Sequence, residues 1–370
     1  MIKNKNIYVT QPTLPDFDKF TDHLKELWKS KHLTNNGRFH QELELKLAEF
    51  LGIKHLSLFS NGTLALMVGL QALRITGEVI TTPYSFVATT HALHWNGIKP
   101  VFCDIKEQNG NLDPDKIETQ ITPQTTAIMP VHVYGNPCDN KKIQNIADTY
   151  GLKIIYDAAH AFAVEQNEET ILTWGDLSIL SFHATKTFNT FEGGAIICKD
   201  AKTKQRIDYL KNFGFAGEET VVAPGINAKM NEVSAIMGLL QLDLYEENRL
   251  KRQKLTEFYK SEFKNTEGIR FINSNNTVKE NYSYFPIFIN ENKFGKSRNE
   301  VYDLLKQNNI FARKYFYPLI SQFSTYKGLK SAVKENLPVA TKMAEQVLCL
   351  PLYADLGNEN IKKIFNLINE

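Results

Sequence analysis

The stretch Ser181-Phe-His-Ala-Thr-Lys186-Thr-Phe-Asn-Thr-Phe-Glu-Gly-Gly194 joins two apolar runs, Leu177 to Phe182 and Gly194 to Cys198, that have the composition of β-strands. Lys186 therefore lies on a connection between two predicted strands. A third apolar run, Leu152 to Tyr156, is followed by Asp157, 29 residues before the lysine. An amine and a carboxylate that each follow a strand are the pair that pyridoxal phosphate chemistry requires: the amine binds the aldehyde, and the carboxylate keeps the ring nitrogen protonated.

Short apolar runs alternate with helical segments, such as Asn140 to Tyr150, between residues 55 and 200. Several runs consist almost entirely of Val, Ile, Leu and Phe, as expected for strands that are covered on both faces. The pattern predicts an α/β fold with a mostly parallel, seven-stranded sheet, in which ligands bind beyond the carboxyl ends of the strands. The predicted strands are His55–Phe59, Glu78–Thr82, Lys99–Ile105, Ala127–Val133, Lys153–Asp157, Leu177–Phe182 and Gly194–Lys199.

The length of 370 residues predicts about two domains at ~150 residues each. Apolar residues recur at three- and four-residue spacing from Met230 to Lys254, which predicts a long helix. We place the domain change near the end of that helix, with a large domain over residues 1–250 and a smaller C-terminal α+β domain over residues 251–370. The smaller domain is predicted to contain an apolar run at Tyr284–Ile289 and helices at Lys296–Gln307, Val339–Cys349 and Asn358–Ile368.

The composition excludes several classes of function. The net charge is only +2, from 43 basic and 41 acidic residues, so no strong field attracts nucleic acid or an anionic membrane. No run reaches the ~18 apolar residues of a membrane span, and Met1 to Val9 lacks the apolar core of a signal peptide. We expect a cytoplasmic protein without a metal site, because the cysteines are far apart and form no C-x-x-C pair. They are Cys103, Cys138, Cys198 and Cys349.

Two segments at predicted strand ends are candidates for binding a cofactor. Ser60 to Thr63 follows a strand and opens a helix, where free N–H groups, Gly62 and the Thr63 hydroxyl suit a phosphate. The alternative is an ordinary helix cap. Phe86 follows the next strand and is placed to stack on a pyridine ring, whereas the alternative is a core phenylalanine.

Several polar residues are candidates with structural alternatives. Asp157 would pair with a protonated ring nitrogen or cap a following helix. His160 would hydrogen-bond the ring oxygen or be structural. Ser181 would bind phosphate. His183 would orient the substrate or assist proton movement, or make only a local hydrogen bond.

A second group of candidates precedes the long predicted helix. Asn227 could donate a hydrogen bond to a phosphate, and Lys229 could neutralise an anion. The alternative is that this segment is simply the start of the helix, with Asn227 near its cap.

The ordered set of motifs resembles the DegT/StrS family of pyridoxal-phosphate sugar aminotransferases, which have the type I fold of enzymes that use this cofactor. The resemblance extends over nearly the whole chain. The motifs that carry it are Ser60–Leu66, Thr82–Thr89, Pro130–Gly135, Asp157–His160, Ser181–Lys186, Glu192–Gly194, Asn227–Met230 and Leu350–Tyr353.

The resemblance implies a role for each matching residue. It implies that pyridoxal phosphate, or its amine form, is the cofactor, and that the working unit is a homodimer with active sites at the interface. The implied roles are Lys186 as the Schiff-base lysine, Asp157 on the pyridine nitrogen, His160 near the ring oxygen, Phe86 on the ring face, Gly62, Thr63 and Ser181 on the phosphate, and Asn227 on the phosphate of the neighbouring subunit.

The stretches Leu33–Gly37 and Arg313–Pro318 resemble most closely the viosamine-forming branch of the family. That branch implies a 4-keto-6-deoxy dTDP-sugar as acceptor, L-glutamate as donor, and a product for O-antigen or other surface glycans. Lys229, Arg313 and Lys314 are candidates for binding the diphosphate or the glutamate carboxylates. Amination at C3, a dehydratase on the same fold and a non-catalytic sensor of cofactor or nucleotide sugar remain alternatives.

Overall fold

A computed structural model describes residues 6–370. Residues 1–5, part of the Met1–Val9 stretch considered for a signal sequence, lie outside the described residues. Within residues 6–370, no helix is both long and apolar enough to cross a lipid bilayer. The same part of the chain contains no group of three or more His, Cys, Asp or Glu side chains arranged to hold a metal ion. All four cysteines are buried free thiols.

Regular structure covers most of the described chain. The α-helices are α1 Phe17–Ser30, α2 Arg38–Phe50, α3 Gly62–Ala72, α4 Ala88–Trp95, α5 Asn140–Tyr150, α6 Ala201–Leu210, α7 Glu232–Phe263, α8 Glu291–Phe294, α9 Arg298–Gln307, α10 Pro338–Gln346 and α11 Asn358–Asn369. The strands are β1 Ile7–Tyr8, β2 His55–Phe59, β3 Glu78–Thr81, β4 Lys99–Phe102, β5 Thr125–Met129, β6 Lys153–Asp157, β7 Glu165–Gln166, β8 Glu169–Thr170, β9 Leu177–Ser181, β10 Gly194–Cys198, β11 Ile269–Phe271, β12 Val278–Lys279, β13 Phe285–Ile289, β14 Ile310–Phe311 and β15 Val347–Leu350. Single 3-10 turns lie at Pro114–Lys116, Glu118–Gln120, Val133–Gly135, Ile171–Thr173, Ile320–Gln322, Lys330–Ala332 and Lys334–Asn336.

The central sheet has seven strands in the order β2-β10-β9-β6-β5-β3-β4. Strand β10 is antiparallel to both of its neighbours, and the other pairs are parallel. The prediction of a mostly parallel seven-stranded α/β fold is therefore confirmed, and each predicted strand overlaps an observed one. The largest differences are at Ala127–Val133, which is observed as Thr125–Met129, and at Lys99–Ile105, which ends at Phe102. Smaller sheets follow the orders β11-β13-β15, β12-β7-β8 and β1-β14.

Buried apolar side chains cover both faces of the central sheet, which explains why its strands are apolar throughout. On one face, α2 and the first half of α7 pack on β2, β9 and β10. Helices α3, α4 and α6 form a second cluster with strand residues such as Ile155 and Ile179. Helix α5 packs against Ile128, Ile154 and Tyr156 in a third.

Helix α7 connects two hydrophobic clusters. Its first half, including Ile236, packs against the central sheet, and its second half, including Tyr259, packs with β13, β15, α9 and α11. Position 250 lies between these two halves, and we propose that the domains divide there along the helix. The N-terminal segment does not follow this division simply, because β1 pairs with β14 and Ile7 packs in the C-terminal cluster.

Two predicted elements of the C-terminal part have different bounds in the structure. The helix predicted over Val339–Cys349 ends at Gln346, and Val347–Leu350 form strand β15. These four residues are buried and pair antiparallel with β13, so the short apolar run is the outer strand of the β11-β13-β15 sheet rather than a helix face. The long helix also continues to Phe263, past the predicted end at Lys254.

Because two histidines are buried, we expect the protein to lose stability in mild acid. Burial lowers the pKa of both His40 and His132 from 6.5 to about 3. The unfolded chain binds protons below pH 6.5 that the folded chain cannot bind, so this stability is complete above pH 6.5 and falls as the pH decreases. We expect the free energy of unfolding to decrease by about 2 kcal/mol per histidine between pH 7 and pH 5, measured by urea titration.

The control compares how steeply the free energy of unfolding depends on pH in the wild type and in histidine variants. The double variant His40→Gln, His132→Gln should show a smaller loss between pH 7 and pH 5 than the wild type, even if it is less stable at both. The exposed His94, replaced by Gln, should leave the slope unchanged. An equal pH slope in the double variant and the wild type would show that these rings are not the titrating groups.

Candidate active site

Four chain segments meet at one edge of the central sheet. In register, Asp157 at the end of β6 lies beside Ile179 of β9, and Ser181 at the end of β9 pairs with Gly194 at the start of β10. Gly194 in turn pairs with Phe59 at the end of β2. Because β10 is antiparallel, its beginning lies at the same edge as the carboxyl ends of its neighbours. This edge is where ligands bind in open α/β sheets.

The start of α3 has the features of an anion site. Asn61 is its N-cap, and its Oδ1 accepts a hydrogen bond from the backbone N–H of Leu64 at 2.8 Å. The cap satisfies only part of the first turn, so the N–H groups of Gly62 and Thr63 remain for a ligand. The capping and phosphate interpretations of this segment are therefore compatible.

Glycine is required at two positions around this helix start. A Cβ on Gly62 would lie 3.0 Å from Cβ and 3.4 Å from Oγ of Ser181, and would fill the space between the helix start and that hydroxyl. A Cβ on Gly194 would lie 2.7 Å from the backbone N of Gly62. The two glycines thus leave room for an anion between the helix start and Ser181.

Lys186 is partly buried and lines a cavity of about 230 Å³ at this edge. Burial lowers the pKa of its amine from 10.5 to about 8, although the negative charge of Asp157 acts in the opposite direction. A lysine with this pKa has a substantial neutral fraction near physiological pH, as a nucleophile or a proton acceptor requires.

Asp157 is 5% exposed and also lines the cavity. Its Oδ2 accepts a hydrogen bond from the Thr89 hydroxyl at 2.7 Å, and its Oδ1 accepts one from the N–H of Ala159 at 3.1 Å. Burial still raises the pKa of this carboxyl, despite these bonds and the charge of Lys186. The carboxylate would therefore be stabilised by a cationic group in the cavity. The alternative of a helix cap is wrong, because the next α-helix along the chain is α6.

His160 lies in the same cavity wall. Its Nδ1 accepts a hydrogen bond from the N–H of Tyr134 at 3.3 Å. Burial, with a smaller effect from Lys186, lowers its pKa well below the ordinary value. The ring is thus neutral, and because Nδ1 accepts, Nε2 is the nitrogen that carries the proton. His160 can serve as a hydrogen-bond donor.

Phe86 and His183 lie at more exposed positions of the cavity lining. Phe86 is 58% exposed, so the alternative of a core phenylalanine is wrong. His183 makes a local hydrogen bond, with Nδ1 2.8 Å from the Thr185 hydroxyl, and its Nε2 is 3.5 Å from a carboxylate oxygen of Glu192.

Four other candidates are not among the cavity-lining residues of the single chain. Asn227 is exposed, and it is not the cap of α7, which is Asn231. The Lys229 amine donates to Oδ1 of Asn212 at 2.7 Å. Arg313 is exposed, and the Lys314 amine donates to Oδ1 of Asn299 at 2.7 Å. Their roles remain predictions.

The sequence interpretation missed the aromatic wall of the cavity. Tyr284, Tyr315 and Phe316 come from the C-terminal part of the chain, and Phe316 lies parallel to the His160 ring with centroids 5.9 Å apart. Two of them fall in the Arg313–Pro318 stretch, in which the sequence predicted only the basic residues Arg313 and Lys314 to bind substrate. Thr89 was also missed, although it falls inside the Thr82–Thr89 motif.

A mostly parallel α/β sheet with an amine, a carboxylate and an anion-binding helix start at one edge is an arrangement suited to aminotransferases. The model of the DegT/DnrJ/EryC1/StrS aminotransferase family matches residues 16–369, and the chain belongs to this family. Aminotransferases of this family depend on pyridoxal phosphate. The residues present fit that cofactor, since they offer N–H groups and hydroxyls for a phosphate and a buried carboxylate in need of a cation.

Individual relatives are similar over almost the whole chain. An Escherichia coli protein named dTDP-4-amino-4,6-dideoxy-D-glucose transaminase is 55% identical over 368 residues, with 99% of each chain covered. A Shigella dysenteriae protein of the same name is 50% identical over 366 residues, again with 99% of each covered. Among solved structures, DesI in the presence of its TDP-sugar product has a TM-score of 0.94 and 34% identity, covering 98% of this chain and 92% of that one.

Proposed function

We propose that this chain transfers the amino group of L-glutamate to C4 of dTDP-4-keto-6-deoxy-D-glucose, with pyridoxal phosphate as cofactor. The products are dTDP-4-amino-4,6-dideoxy-D-glucose and 2-oxoglutarate. The observation that carries this proposal is the 55% identity, over 99% of both chains, to the Escherichia coli transaminase named for that amino sugar. The enzyme acts in the cytoplasm and supplies a precursor of O-antigen or another surface glycan.

Pyridoxal phosphate supplies an aldehyde that condenses with amines and a ring that takes up the electrons released at the donor Cα. Asp157 holds positive charge at the ring nitrogen, which offsets the cost of burying its own carboxylate. The N–H groups of Gly62 and Thr63, with the hydroxyls of Thr63 and Ser181, bind the phosphate.

Lys186 has two roles in this proposal. Its neutral amine would hold the aldehyde of the cofactor. Once released by the donor amine, Nζ would accept the proton that leaves the donor Cα and deliver it to the carbon that was the aldehyde carbon of the cofactor. Nε2–H of His160 donates to an oxygen of the cofactor ring, and Phe86 covers a ring face. His183, at an exposed position of the cavity lining, orients the substrate.

The substrates are anionic, yet no arginine within residues 6–370 lines the cavity of the single chain. We therefore propose that the working unit is a homodimer, in which exposed Asn227 and its neighbour Lys229 reach the active site of the second copy. Arg313 and Lys314 come directly before the cavity-wall residues Tyr315 and Phe316 and are proposed to bind the diphosphate or a glutamate carboxylate.

A substrate panel tests the proposal. The purified protein with bound cofactor is given L-glutamate and a 3-keto or 4-keto sugar linked to dTDP, UDP or GDP, and products are identified by mass and NMR. We expect the 4-amino dTDP-sugar with stoichiometric 2-oxoglutarate. Amination at C3, loss of water without 2-oxoglutarate, or cofactor binding without turnover would each replace the proposed reaction.

The lowered pKa of Lys186 predicts how the apoprotein takes up cofactor. Only the neutral amine reacts with the aldehyde. The rate constant for cofactor uptake should therefore rise about tenfold per pH unit below pH 8 and level off above about pH 8. For an ordinary lysine, with its pKa of 10.5, the rate constant for cofactor uptake would continue to increase up to pH 10. Rates are followed by absorbance and divided by the rate constant that a free lysine derivative shows per neutral amine, which removes the ionisation of the cofactor itself.

The same experiment has an internal control. Asp157 raises the pKa of Lys186, so the variant Asp157→Asn should reach its plateau at a lower pH than the wild type. A wild-type rate that still increases between pH 9 and pH 10 would contradict the environment described for Lys186.

A further inference from the structure

The turn after Asp157 carries His160, and one buried side chain holds the backbone of that turn. Asn281 is 2% exposed. Its amide Nδ2 donates to the carbonyl oxygen of His160 at 2.8 Å and to that of Phe162 at 3.0 Å. Both N–H bonds of the amide are therefore used on the same turn. A buried carbonyl that loses its donor costs about 1–3 kcal/mol, so these bonds resist displacement of the turn.

A second contact fixes the partner of the His160 ring. The Ser283 hydroxyl donates to the carbonyl oxygen of Tyr134 at 2.7 Å, and the N–H of Tyr134 donates to Nδ1 of His160. A Cβ on the following Gly135 would lie 2.9 Å from both Oδ1 of Asn281 and the carbonyl oxygen of His160. Asn281 is thus packed between the turn that carries the histidine and the turn that donates to its ring.

The bond to the ring is sensitive to small movements. At 3.3 Å, the distance from N of Tyr134 to Nδ1 of His160 is near the limit for a hydrogen bond. A shift of a few tenths of an ångström would break it and free the ring to exchange its two neutral forms. None of Asn281, Ser283 and Tyr134 lines the cavity. The Tyr134 ring also packs on the wall residues Phe316 and Tyr284, so the state of the His160 ring is the readout specific to this contact.

We propose that Asn281 is a positioning residue for His160: it fixes the turn after Asp157 so that Nδ1 accepts from Tyr134 and Nε2 presents a proton to the cavity. The role of that proton toward the cofactor rests on the proposed function, whereas the state of the ring does not. The C-terminal part of the chain thereby sets a hydrogen-bond donor in a site built mainly from the central sheet.

The test uses Asn281→Asp, which keeps the shape but removes both N–H donors. Asn96 provides the control, since this half-buried side chain also donates its Nδ2 to two carbonyl oxygens, those of Ala92 at 2.8 Å and Met67 at 3.4 Å. The variant Asn96→Asp loses the same kind of bonds at the end of α4, and these bonds involve neither the His160 turn nor the Tyr134 turn. If Asn281→Asp does not fold, Ser283→Ala removes the single bond to Tyr134 and serves in its place.

The first measurement is the ¹⁵N spectrum of histidine-labelled apoprotein, with the His160 signal assigned by its loss in His160→Gln. The wild type should give one neutral form with the proton on Nε2, and Asn281→Asp a mixture of the two neutral forms. Asn96→Asp should match the wild type. An unchanged His160 signal in Asn281→Asp, or in Ser283→Ala where that variant stands in, would overturn the proposal.

The second measurement is the dissociation constant of pyridoxal phosphate. We expect a 10- to 100-fold increase for Asn281→Asp, the range typical of groups that orient a ligating histidine, and less than a twofold change for Asn96→Asp. Equal increases in both variants would mean general destabilisation and reject the positioning role. If the wild type binds no cofactor, the proposed function fails, and the ¹⁵N spectrum still decides the role of Asn281.

Discussion

Replacing Lys186 with alanine should lower the turnover of glutamate and keto-sugar by at least about 10⁴-fold. The change removes both the amine that holds the aldehyde and the base that moves the Cα proton, and among the described residues no other lysine lines the cavity. Lys186→Arg should be equally inactive, because a guanidinium stays protonated at working pH and cannot accept a proton. Steady-state release of 2-oxoglutarate measures the effect.

The control for this prediction is Lys199→Ala, which removes an exposed lysine just after the end of β10. Its turnover should equal that of the wild type. Circular dichroism and thermal unfolding establish that each variant is folded. Full turnover by Lys186→Ala would remove the proposed mechanism, whatever the identity of the substrate.

The second large effect is expected for Asp157→Asn, which should reduce turnover by about 10²–10³-fold, as for the loss of one preorganised electrostatic group. The substitution keeps the size of the side chain but removes the negative charge that would hold a proton on the ring nitrogen. The Thr89 hydroxyl can still bond the amide oxygen, so the site should remain folded. The rate of a single half-reaction, followed by the loss of yellow colour on adding glutamate, measures the effect on chemistry directly.

Asp176 provides the control residue for the Asp157→Asn substitution. It lies at the opposite end of the same strands, where its Oδ2 accepts from the N–H of Ile154 and its Oδ1 pairs with the Lys153 amine at 3.0 Å. Asp176→Asn should affect stability without changing the half-reaction rate. A half-reaction in Asp157→Asn as fast as in the wild type would contradict the assignment of the carboxylate to the ring nitrogen.

The central sheet could be predicted from the sequence because its strands are buried on both faces and bounded by helical segments. The run from Lys153 to Asp157 is an example, and it forms strand β6 with the same bounds. The same reasoning failed for Val347–Leu350, since a four-residue apolar run after a helix has no period of its own. Only its pairing with β13, some 60 residues earlier in the chain, distinguishes strand from helix.

The candidate site was predictable where its chemistry depends on single residues at strand ends. Lys186, Asp157, Gly62 and Ser181 follow predicted strands, and the parallel topology brings such ends together. The aromatic wall could not be predicted in this way, because Tyr284 and Phe316 reach the cavity through the packing of the C-terminal part. The role proposed for Asn281 likewise depends on a contact across 121 residues of sequence, which no local pattern encodes.

The central claim is that the Lys186 amine carries the cofactor. Reduction of the holoprotein with borohydride, followed by proteolysis and mass spectrometry, tests it most directly, because reduction fixes the cofactor to the amine that holds it. The account predicts a single modified peptide, with the added mass on Lys186, and no modification in Lys186→Ala. A modified lysine at any other position, with Lys186 unlabelled, would contradict the account.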